Sequence, residues 1–122
     1  MCEAEARKIK TIEYEYGKAI YQYCPEKDDI DIGYNFYINM YLFLRTQVSL
    51  TNSIMEVSME LLKLLHDLSV DDGIGCFDEV GENVFTRKLG VEDVIVRIKI
   101  CRNTVKIIGF YRQSPYDSRC YS

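Results

Sequence analysis

The reading of one stretch, YNFYINMYLFLRTQVSLTNSIMEVSMELLKLLHDL at residues Tyr34–Leu68, decides the fold. Stepping from Phe36 alternately by four and three residues reaches Met40, Phe43, Gln47, Leu50, Ile54, Val57, Leu61, Leu64 and Leu68, and only Gln47 is polar. That spacing is the seam of an α-helix packed lengthwise on another helix. One long helix is therefore expected, with Gln47 as a register-setter, since a polar residue in mid-seam costs stability but fixes pairing. A competing reading splits the stretch. Ser53-x-x-Glu56 has the form of a capping box, and Thr46–Ser53 is rich in side chains that compete with helical hydrogen bonds.

On the N-terminal side, Ile9, Ile12, Tyr16, Ala19 and Tyr23 repeat the three–four spacing. They predict a first helix over Glu3–Tyr23, with Glu3 and Glu5 at the positive end of its dipole. Gly17 is its weak point, and Pro25 ends it. The acidic connection Pro25–Gly33 offers Asp29 or Asp31 as the next cap. It is long enough to reverse the chain into an antiparallel helical hairpin. Helix two outruns helix one by roughly 18 Å. The surplus seam, around Gln47, Leu50, Ile54 and Val57, is expected to meet the C-terminal sheet or a second copy of the chain.

On the C-terminal side the period changes to two. Val94, Val96, Ile98 and Ile100 alternate with Ile95, Arg97, Lys99 and Cys101, a strand pattern. Asn103-Thr104 is the expected turn into a partner strand, Val105–Arg112. Ile74–Val80 is a weaker strand candidate, and Asn83–Leu89 is ambiguous between strand and helical turn. The expected fold is α+β: an N-terminal helical hairpin (1–70) on a small antiparallel sheet (73–113), with a tail (114–122), in a single domain.

Composition narrows the function classes. Apolar and charged fractions of 48% and 28% are those of a folded, water-facing chain. The longest apolar run, Tyr34–Leu44, is about half a bilayer span, and the acidic N-terminus does not resemble a secretory signal. A cytoplasmic protein that does not engage membranes is expected. The five cysteines are scattered without a CxxC pair and read as free thiols. The net charge of −4 is unevenly spread: residues 1–86 hold sixteen acidic against seven basic side chains, residues 87–112 two against seven.

Candidate chemistry is sparse. His66, the single histidine, reads as a surface residue near a helix C-terminus rather than a catalytic base. Neither a close cysteine pair nor a calcium-type loop announces a metal site, and no glycine loop matches a nucleotide fingerprint. No cofactor is expected, and no catalytic constellation is visible. The leading expectation is a non-enzymatic protein-binding module, a small acidic inhibitor or immunity-type protein. Tyr14, Tyr21, Asp28 and Asp29 would contact the partner, with self-association through the long helix. A larger assembly with Gln47 setting register is a structural variant of this idea. The alternative is a small metal-independent ribonuclease or RNA-binding domain. Its patch would be Arg97, Lys99, Lys106, Tyr111, Arg112 and Tyr116 on the basic face of the C-terminal hairpin, with Tyr111, Tyr116 or His66 moving protons.

Overall fold

The computed structural model describes residues 9–27, 29–51, 53–70 and 73–112 of the chain. The order is β1 (Thr11–Tyr16), β2 (Ala19–Tyr23), α1 (Ile30–Gln47), α2 (Ile54–Ser69), β3 (Asp78–Gly81), β4 (Val84–Lys88), β5 (Val94–Cys101) and β6 (Thr104–Arg112). All six strands form one sheet in the order β2-β1-β6-β5-β4-β3. It is parallel between β1 and β6 and antiparallel elsewhere. The fold is α+β, but it is not a helical hairpin followed by a sheet. The sheet begins near the N-terminus, and both helices are inserted between its strands in the sequence.

The expected first helix is a β-hairpin over its described part. Ile12 and Tyr14 are buried, alternating with Glu13 and Glu15, which is the period of a half-covered strand. Tyr16 pairs with Ala19 across Gly17-Lys18. Gly17 has φ +67°, which suits the first central position of a tight hairpin turn.

The expected single long helix is two. α1 ends at Gln47, and Val48 leaves in extended conformation. Ser53 restarts the helix through a complete capping box: its hydroxyl accepts from the Glu56 N–H at 3.2 Å, and the Glu56 carboxylate accepts from the Ser53 N–H. At the other end of α1, Asp29 caps the Ile32 N–H at 3.1 Å.

Both helices lie on one face of the sheet. Phe36, Met40, Phe43 and Leu44 of α1, with Val57, Leu61, Leu64 and Leu68 of α2, meet the inward row Val94, Val96, Ile98 and Ile100. Over β1 and β2 the contact is aromatic. Tyr14 stacks on Phe43 (centroids 5.5 Å) and Tyr21 (5.3 Å), and Phe43 meets Phe110 edge-on at 5.7 Å. The buried Tyr14 hydroxyl donates to the Phe36 carbonyl at 2.6 Å, so its burial does not leave this hydroxyl unmet.

β3 to β6 form an antiparallel meander. The alternation marked β5 and β6, β3 overlaps the weaker candidate Ile74–Val80, and the ambiguous Asn83–Leu89 contains a strand, β4. The β5–β6 turn centres on Arg102-Asn103 rather than Asn103-Thr104, with Arg102 taking the left-handed backbone (φ +59°). Ile98 pairs with Ile107 but Arg97 pairs with Gly109, so Ile108 is the extra residue of a bulge. The loop before β5 places Glu92 and Asp93 in succession at φ +43° and +61°. It is held from two sides: Gly90 N–H donates to Glu60 of α2 at 3.0 Å, and Arg112 Nε donates to the Glu92 carbonyl at 3.0 Å.

Candidate functional site

Among the exposed large apolar side chains, most lie on the helices, away from the sheet. In α1 they are Ile30, Ile32, Tyr34, Ile38 and Leu42; all but Ile32 recur every four residues, which places those four along one side of the helix. In α2 they are Ile54 and Met55 in the first turn, then Met59 and Leu62, with Met55, Met59 and Leu62 at the same kind of spacing. Ile30 is 81% exposed, Met55 73% and Tyr34 67%, so these are not rim residues of the core. α1 is therefore apolar on two opposite sides, one filled by the sheet and one facing out.

Between the helices, at the N-terminal end of α1, lies a cleft of about 650 Å³ lined by Tyr23, Tyr34, Tyr37, Leu62, Leu65 and His66. Leu62 and His66 also border a recess of about 420 Å³ reaching Asp67 and Arg87. Arg87 is paired with Asp67 and lies over the Phe77 ring at 5.6 Å, which ties α2 to β4. His66 is exposed near the end of α2 and has no hydrogen-bond or ion-pair partner among the described residues. No side chain among the described residues orients it for proton transfer. Among the described residues no cluster of His, Cys, Asp or Glu has the geometry to hold a metal ion. No described helix is long and apolar enough to cross a membrane.

The residues expected to touch a partner are placed as follows. Tyr14 is in the core, because its strand position faces the helices; it is not an exposed anchor. Burial, reinforced by Tyr21 and Tyr16, holds its phenol well above the ordinary tyrosine range. Tyr21 is half-buried against it. Asp29 is spent on capping α1, and Asp28 lies outside the described residues. The expected oligomer seam is dispersed. Val57 is buried, Leu50 is half-buried, Ile54 is exposed, and the Gln47 carboxamide oxygen accepts from the Phe110 N–H at 3.0 Å. Gln47 thus fixes a helix to a strand of its own chain.

The expected nucleic-acid patch is gathered only in part. Arg97, Lys99, Lys106 and Tyr111 share the outer face of β5 and β6. Lys99 stands directly opposite Lys106, whose ammonium lies 3.5 Å from Glu15. A recess of about 400 Å³, floored by Phe43 and Ile107, opens beside the two lysines where the β1–β6 pairing stops. Arg112 is used elsewhere: it donates to the carbonyls of Ser49 (2.6 Å) and Glu92 and to the Glu92 carboxylate. Tyr116 lies outside the described residues.

Sequence reasoning missed the outward helical face. Its signal was present, since in Tyr34–Leu44 all residues but two asparagines are apolar, more than one buried face needs. No protein-family model, curated protein or solved structure matches this chain.

Proposed function

We propose that the protein is a non-enzymatic protein-binding module whose docking surface is the outward apolar face of α1 and α2. The observation that carries this reading is the size of that face. Weighted by fractional exposure at roughly 200 Å² per large side chain, its seven apolar residues present on the order of 800 Å². Monomers rarely leave contiguous patches above about 600 Å² uncovered, whereas about 800 Å² per partner is the size of a stable protein interface. An aromatic and methionine-containing surface suits this use, because unbranched Met55 and Met59 adapt to a partner's shape and tyrosines such as Tyr34 are enriched at interface hot spots.

The test is photo-crosslinking in cells with a benzoylphenylalanine at position 59 or, for comparison, at position 86 on the outer sheet face. A discrete protein adduct from position 59, lost when Tyr34 is changed to Glu, is the expected result. Equal adducts from both positions, or none at 59, would remove the helical face from this role.

A second reading is supported by the Lys99–Lys106 pair. Like charges directly opposite each other across two strands are destabilising, and an anion on the outer face would relieve the repulsion. A nucleic-acid backbone is such an anion. Glu15 already supplies part of that relief, so this reading is the weaker of the two.

A further inference from the structure

We infer that the occupant of the helical face is a second copy of this chain, paired antiparallel through α1 about a two-fold axis at Ile38. This rests on the protein-binding reading above and names its partner.

The order of residues along one side of α1 is symmetric about Ile38. At about 100° per residue, Asp31, Tyr34, Leu42 and Arg45 all project within about 40° of Ile38. The opposite side carries the buried Phe36 and Met40. Tyr34 and Leu42 lie four residues to either side of Ile38, and Asp31 and Arg45 seven residues to either side. Reversing the helix about Ile38 therefore places Tyr34 against the partner's Leu42, and Asp31 against the partner's Arg45. Each contact occurs twice, as an isologous interface requires. A parallel arrangement would set Asp31 on Asp31 and Arg45 on Arg45, which like-charge repulsion disfavours.

The charges at the two ends are available for this use. Asp31 has no ion-pair partner among the described residues, and it is the acidic residue in the first turn of α1. Arg45, in the last turn, donates to the Tyr41 hydroxyl at 2.8 Å and lies over that ring at 5.8 Å. That contact fixes the guanidinium without neutralising it. The ends of the pairing are about 21 Å apart along the helix, and Leu62 of α2 lines the same cleft as Ile30 and Tyr34. By the same weighting Ile30, Tyr34, Ile38 and Leu42 of α1 supply about 450 Å² of apolar surface, so reaching the roughly 800 Å² that a stable dimer buries on each side also draws on α2.

The experiment is sedimentation equilibrium on the purified protein and a charge-swap series, with circular dichroism confirming that each variant melts cooperatively. The parent should be a dimer in the micromolar range. Asp31→Arg and Arg45→Asp should each weaken it at least about tenfold, because each creates two like-charge contacts. The double variant should return to within a few-fold of the parent, and Ile38→Glu should give a folded monomer. A parent that stays monomeric through the micromolar range, or a dimer indifferent to the swaps, overturns the inference. In either case a position-59 adduct to a different protein would leave the binding-module reading intact, whereas loss of that adduct too would take both down.

Discussion

The side-chain oxygen of Gln47 occupies the place that a side chain on Gly109 would need. It lies 3.0 Å from the Phe110 nitrogen, and an ideal Cβ at position 109 would come within 2.5 Å of it. The end of α1 and the bulged strand β6 are thus locked by a contact that depends on glycine at 109. The effect of Gln47→Leu follows from this. The Phe110 N–H loses its acceptor, so stability should fall by about 1–3 kcal/mol in urea unfolding. Gly109→Ala should lower stability by displacing the same oxygen. A more stable Gln47→Leu would return Gln47 to the role of an interfacial polar residue.

Glu92 connects three segments. Its carboxylate accepts from the Thr51 N–H at 2.6 Å and from Arg112 at 3.2 Å, while its own backbone is left-handed. Glu92→Ala should cost about 1–2 kcal/mol. It should also raise amide hydrogen exchange at Thr51 and at residues 90–94 more than in β5. Uniform exchange across the sheet would show that the loop is not separately held.

The raised pKa of the Tyr14 phenol sets a sign for alkaline unfolding. The folded state keeps this proton above the value of the unfolded chain, 10.0. Its contribution is therefore fully present below about pH 10 and is lost as pH rises beyond that toward the folded value. Melting temperature plotted against pH should fall more steeply above pH 10 in the parent than in Tyr14→Phe, although Tyr14→Phe is less stable at neutral pH through the lost bond to Phe36. Parallel curves would contradict a protonated, buried phenol.

The outer sheet face makes an independent prediction. If it holds nucleic acid, Arg97→Ala with Lys99→Ala should remove binding to a single-stranded RNA oligonucleotide. The parent's affinity should also fall steeply with salt. Affinity that is unchanged by both the double substitution and salt ends that reading. The substitutions should leave the fold unaffected, since both side chains face solvent.

How much of this was legible in the sequence depended on whether the pattern had one physical origin. Val94–Cys101 alternates strictly because one face packs on the helices and the other meets water, and no helix produces that period. The N-terminal hairpin was misread for a geometric reason. Its inward residues are Ile12, Tyr14, Tyr16, Tyr21 and Tyr23, with Ala19 in register opposite Tyr16. The two-residue turn inserts a step of three between steps of two. The subset Ile12, Tyr16, Ala19, Tyr23 then has the four–three–four spacing of a helix seam. The helical stretch failed differently, because residues 48–53 happen to preserve the phase between α1 and α2. There the capping box at Ser53 carried the better information. The helical face was missed because a search for one seam treats further apolar residues as filler.

The parallel pairing of β1 with β6 joins Thr11 to Thr104 and Tyr14 to Ile107. Strands from opposite ends of the described chain thus lie side by side in the middle of the sheet. During synthesis the first hairpin emerges with one edge unmet, and it stays so until β6 leaves the ribosome. Closing so large a loop carries an entropic cost that no local contact offsets in advance. Folding should therefore be limited by the arrival and docking of β6, and a chain halted before Thr104 should expose a bare β1 edge open to pairing with other chains.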